Sequence, residues 1–272
     1  MRINYLLIIL IVLFLPLFVL AQEKVIEFNL EIETKTLKEQ LQPIELKTDN
    51  SVISLGLTSH HLPTALPLIK EFYQTIYLKN NQLKTFVIIG PDHLEKCKNL
   101  ISLPKSAIKT NLGISRLDEK LIKEFTKINR EDDCFTNEHS IGVQAAIIKY
   151  LFPKAKIVPI LVSGSISEAE INNLVKLLNK YKKQLVIIGS VDFSHYLTYE
   201  AAQKIDQTSK LMLQKLNRNF TLKQVDSPAT VKILIDLARL NNYKTRVVAQ
   251  ANSADFTKNK TDTTGYISAI FK

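Results

Sequence analysis

Glycine is scarce, with seven in 272 residues, and those seven are scattered. No GxGxxG turn or phosphate-cradling GxxxxGK loop is present, which excludes dinucleotide and nucleoside-triphosphate sites of those kinds. The GxSxG elbow of serine hydrolases is also missing, so Ser190 and Ser194 in "GSVDFSH" are poor nucleophiles. There are only two cysteines, Cys97 and Cys134, with no CxxC and no Cys/His zinc spacing. They are compatible with one disulfide in an exported chain and do not by themselves require it. No Gly/Ser/Pro tract or tandem repeat divides the chain after residue 50, which argues for one large domain. A clustered basic stripe is lacking too. The net charge of +10 is built from lysines dispersed through "LKNNQLK", "NKYKKQ" and "TKNKTD". Without Arg forks or aromatic platforms these read as solvated faces, and nucleic acid is not an expected partner.

What is present begins with an apolar run, 6–21, behind a single early Arg2 and broken only by Pro16. It is short for a bilayer span, and Val19 and Ala21 supply small residues before Gln22. Residues 1–21 therefore read as a signal peptide or an N-terminal membrane anchor. Either places the domain outside the cytoplasm, secreted or tethered, with membrane contact only through that segment. Residues 22–50 read as a linker or edge element, and residues 51–272 as the folded domain.

Within that domain short β-branched runs alternate with helical-period stretches. Strands are predicted at 52–57, 85–89, 156–162, 184–188, 246–250 and 265–271, and helices at 64–78, 117–128, 140–151, 167–181, 198–216 and 227–240. This is the pattern of an α/β fold, a mostly parallel central sheet with helices on both faces. Ligands of such sheets sit beyond the carboxyl ends of the strands. Asp226, Ser227 and Pro228 open the last helix, and capping suffices to explain Asp226. "TDTTG" reads as a turn ending at Gly265.

Four of the five histidines follow those strand ends, and the fifth opens a helix. His60 and His61 follow the first strand in "VISLGLTSHHLP", His93 the second in "VIIGPDH", and His195 the fourth in "VIIGSVDFSH". His139, in "TNEHSIGVQ", opens a helix. Any one of them is explained by an ordinary loop hydrogen bond. Together on one rim they point to a metal or acid/base site. Asp92, Glu138 and Asp192 neighbour histidines and are available as ligands or orienting acceptors. His61 points opposite to His60 in an extended chain and ranks lower.

The motifs "TSHHLP", "IIGPDH", "NEHSIGVQ", "IIGSVDFSHY" and "ANSAD…TTGYISAIF", in that order, resemble the MEMO family, whose bacterial members are often called AmmeMemoRadiSam system protein B. The resemblance spans residues 51–272 and implies a fold like that of class III extradiol dioxygenases. It implies that His60 and His93 are metal ligands and that His139, His195 and Asp192 line the same pocket. A family cysteine ligand has no counterpart in "KQVDSPAT", where Val225 or Asp226 stands; with Asp226 the set becomes two histidines and a carboxylate. The implied cofactor is an iron or copper ion, with redox or dioxygenase-like chemistry in which His195 or His139 acts as acid/base. A small molecule or peptide would occupy the strand-end pocket. A binding module without turnover and a metal-dependent hydrolase are the rival readings.

Overall fold

The computed structural model describes residues 24–42, 53–77 and 85–272. The leader read at 1–21 lies outside them. Among the described residues, no helix is long and apolar enough to cross a membrane.

The branched apolar runs form the centre of an eight-stranded sheet. Strands β2 (Leu55–Thr58), β3 (Thr85–Pro91), β8 (Lys156–Val162) and β9 (Leu185–Ser190) pair in parallel in the order β2-β9-β3-β8. Every residue of β2, β3 and β9 is buried, as expected of strands covered on both faces. Two antiparallel strands, β10 (Thr245–Asn252) and β11 (Gly265–Phe271), extend the β2 side. On the β8 side the short strands β4 (Ile101–Leu103) and β7 (Asn129–Arg130) complete it.

Register shows which helix covers which face. Phe72 of α2 (Leu66–Tyr77) fills the space over Gly56, and Leu234 of α7 (Pro228–Leu240) fills that over Gly189. Gly189 pairs with Leu57, whose side chain points opposite to position 56, so α2 and α7 lie on opposite faces. Ser140 and Ile141 of α4 (His139–Leu151) cover Gly90 on the α2 face, because Gly189 pairs with the preceding residue, Ile89. Helix α5 (Glu168–Tyr181) begins with a capping box, Ser167 with Glu170, and packs beside α7. Helix α6 (Tyr199–Gln214) lies on the β10 and β11 end of the sheet.

Two segments depart from the expected pattern. The helix expected over 117–128 is a single turn, α3 (Glu119–Ile122), capped by Asp118. Leu117 is held by a bridge to Ile157, and Phe125 and Ile128 reach the core through successive turns. Helix-like apolar spacing is thus produced by a loop folded against the sheet. The segment before the domain carries β1 (Val25–Glu27) and α1 (Thr34–Leu41). Strand β1 forms one edge of a three-stranded sheet with β5 (Ala107–Thr110) and β6 (Gly113–Ser115). Past β1, the Phe28 ring lies on Gly142 of α4, leaving no room for a β-carbon there. Cys97 and Cys134 form a disulfide, with Cα atoms 4.9 Å apart.

Candidate metal centre

Three adjacent parallel strands, β2, β9 and β3, deliver the site. Just past their ends stand His60, Asp192 and His93, and His195 follows three residues beyond Asp192. His139 is the first residue of α4 and Asp226 stands two residues before α7. The cap of α7 is Ser227, whose hydroxyl accepts from the Thr230 N–H, so capping does not account for Asp226. Its carboxylate turns inward and accepts the Asp192 backbone N–H at 3.0 Å, while the Asp226 N–H donates to the Asp192 carbonyl at 3.0 Å.

The side chains converge. Asp226 Oδ2 lies 3.3 Å from His60 Nε2 and 3.5 Å from His93 Nε2, and Asp192 Oδ2 lies 3.4 Å from His60 Nε2. The His139 ring stacks on His93 at 4.3 Å between centroids and meets His60 edge-on at 4.8 Å. Within this cluster two sets have donor atoms mutually within 4.8 Å: His60, His93 and His139, and His60, Asp192 and Asp226. His61 turns aside to pair its Nδ1 with the Tyr266 hydroxyl at 2.7 Å. His195 lines the cavity next to Tyr196 rather than joining the cluster.

The supporting shell orients the rings. Glu138 accepts from the His93 backbone N–H and from Nδ1–H, which leaves Nε2 of that tautomer with a free lone pair. Behind His60, the Tyr73 hydroxyl donates to Gln144, whose amide donates to the Ser59 carbonyl and to Ser190 Oγ. Ser190 Oγ, 3.2 Å from His60 Nδ1, keeps a lone pair for an Nδ1–H, the tautomer that again frees Nε2. Glu138 was visible in the sequence as a neighbour of His139; its bond to His93, 45 residues away, was not. The Tyr73–Gln144 relay had no local signal at all.

The buried carboxylates draw positive charge to the site. Burial, followed by the charge of Asp226, raises Asp192 to about 8. Burial and the neighbouring imidazoles hold His60 well below its usual value, so it is neutral. At His93 burial opposes the charge, but hydrogen bonds to Asp226 and Glu138 outweigh it and raise the pKa to about 10, so the ring on its own carries a proton on Nε2 facing Asp226, and a metal ion would have to displace that proton to reach the lone pair. One oxygen of each aspartate, Asp192 Oδ1 and Asp226 Oδ1, is buried without a hydrogen-bond partner. Buried carboxylates with unpaired oxygens are costly, and a divalent ion held by their Oδ2 atoms and the imidazole nitrogens would neutralise them. The donor set therefore fits a metal.

The cluster opens into a cavity of about 700 Å³. Its far wall comes from the segment after β1, Phe28, Asn29, Leu30 and Glu31, with Asn137, Tyr196 and Thr264 at other points. The part played by residues 28–31 was not read from the sequence, because their weak alternation carries no trace of what they cover.

Fold and site together define an α/β protein with a histidine- and carboxylate-lined centre at the ends of its parallel strands. The model of the Memo-like protein family matches residues 67–270, and the chain belongs to that family. A MEMO1 family protein of Sulfurisphaera tokodaii is 30% identical over 203 residues, covering 69% of this chain and 72% of its own. A second, from Saccharolobus solfataricus, is 28% identical over 201 residues, covering 68% and 71%. Among solved structures, an uncharacterized protein of Escherichia coli K12 aligns with 78% of this chain and 98% of its own, at 9% identity and a TM-score of 0.45.

Proposed function

We propose that this Memo-like protein binds iron or copper through His60, His93 and Asp226 and uses the ion in redox or dioxygenase-like chemistry on a small molecule or peptide. The observation that carries this is Asp226 Oδ2, 3.3 Å and 3.5 Å from the two Nε2 atoms, beside a buried Oδ1 with no partner. Two imidazoles and one carboxylate with open positions suit non-haem ferrous iron. When bound, such an ion would polarise an oxygen-bearing ligand held in the cavity.

The chain's own groups do the rest. Glu138 and Ser190 fix the two rings, and Asp192 holds or releases a proton beside Asp226. His139 and His195, both held below the ordinary histidine value by burial, are neutral near pH 7 and can accept a proton from a ligand. His139, Phe28 and Leu30 line the cavity beside the cluster. A second reading, copper or zinc held by His60, His93 and His139, is favoured by the three imidazoles within 4.8 Å.

Metal analysis of purified residues 23–272 beside the His93→Ala variant tests the proposal. After anaerobic loading the wild type should keep one equivalent of iron or copper and the variant should lose it. Retention by neither would overturn the reading. Oxygen uptake by the iron-loaded protein across a panel of catechol-type substrates then separates turnover from binding alone.

A further inference from the structure

The disulfide joins the two segments that build the His93 side of the site. Cys97 lies four residues after His93, on the loop leaving β3, and Cys134 lies four residues before Glu138. Between them runs the contact that orients His93, with Glu138 accepting the backbone N–H at 2.9 Å and Nδ1–H at 2.8 Å. The crosslink and this pair of hydrogen bonds therefore close one small ring across the loop. Other ties flank it. Asp92 accepts from the Lys96 and Cys97 N–H groups, and Glu131, three residues before Cys134, accepts from the Lys98 N–H and the Asn99 amide. Among the described residues no crosslink braces His60, which is held by the Ser190 and Gln144 hydrogen bonds with its side chain 1% exposed, whereas the His93 side chain is 24% exposed. The more exposed ligand is the one that carries the covalent brace.

We propose that Cys97–Cys134 is a positioning crosslink for the metal centre, which makes metal affinity depend on the redox state of that pair; this rests on the metal-binding reading above. Cys134 is fully buried and Cys97 partly so, so a reductant approaches the bond from the Cys97 side. A dithiol reductant would supply two electrons and two protons. The S–S bond breaks, each cysteine becomes a thiol, and the reductant leaves as its own disulfide. The loop bearing His93 then loses its tether to the Glu138 turn. Loss of such orienting support typically weakens metal binding ~10–100-fold.

The test compares oxidised wild type, dithiol-reduced wild type and the Cys97→Ala/Cys134→Ala variant, each as residues 23–272. Ferrous iron is titrated anaerobically, and amide hydrogen exchange is followed without metal. His60→Ala sets the background, since the reduced thiols and Glu131 are themselves grouped closely enough to take up added iron. Expected are ~10–100-fold weaker iron binding in the reduced and double-variant forms, and faster exchange of the His93 amide with β9 amides unchanged. The β9 amides also report whether the variant has folded. Equal affinity and equal His93 exchange in all three forms would overturn the proposal. If oxidised, folded wild type binds no iron, the metal reading fails, and His93 exchange alone decides whether the crosslink positions the loop.

Discussion

Glu138 holds His93 twice, by its backbone N–H at 2.9 Å and by its ring Nδ1 at 2.8 Å. The same carboxylate caps α4 by accepting the Ser140 N–H at 3.0 Å. One buried acid thus ties a strand-end loop to a helix start, and it directs Nε2 of His93 towards Asp226.

Replacing Glu138 separates these duties. Glu138→Gln keeps one acceptor oxygen for the cap and gives up the charge facing His93, so ferrous-iron affinity is expected to fall ~10–100-fold with a small change in melting temperature. Glu138→Ala should lose about 1 kcal/mol more through the cap. Isothermal titration alongside thermal melts measures both.

Asp226 and Ser227 are neighbours with separable roles. Ser227→Ala should cost about 1 kcal/mol in a denaturant melt, the value of a helix cap, and leave iron stoichiometry intact. Asp226→Asn retains an acceptor for the Asp192 N–H, so the fold should persist while bound iron is lost. The reverse pattern would show that Asp226 serves the helix.

Asp206 offers a test of pH dependence away from the cluster. It is 3% exposed, lies against Gly265, and accepts the Ser194 N–H at 3.3 Å; burial pushes it up to about 6. Its pKa is raised on folding, so its contribution to stability is complete below the unfolded carboxylate range and is lost as pH rises through about 6. Asp206→Asn should flatten the stability profile between about pH 4 and pH 6 and gain ~1–3 kcal/mol at pH 8. Chemical denaturation at stepped pH would show it.

The segment bearing Phe28 forms a wall of the cavity. Phe28→Ala removes the ring that lies on Gly142, and removal of a buried phenylalanine costs ~3–5 kcal/mol where it is felt globally. Limited proteolysis should cut residues 24–42 faster in the variant, while the β-sheet core resists as before.

Residues at strand ends were the most legible part. An apolar run that stops at glycine and then reaches histidine identifies both the strand and the side chain it presents, as at His60, His93 and His195. Asp192 came with them. Asp226 was legible only as an alternative between cap and ligand, because Asp and Ser in succession both suit a helix start. Only the structure shows that Ser227 takes the cap. The 117–128 segment misled because Leu117, Leu121, Ile122, Phe125 and Ile128 meet the core with helical spacing while the backbone turns. Contacts formed between distant segments, such as Glu138 to His93 or Phe28 to Gly142, leave no local pattern to read.

The most direct measurement is anomalous diffraction at the iron edge from crystals of residues 23–272 loaded anaerobically with ferrous iron. A single strong peak within bonding distance of His60 Nε2, His93 Nε2 and Asp226 Oδ2 is predicted. A peak elsewhere, or none in fully loaded crystals, would contradict the account.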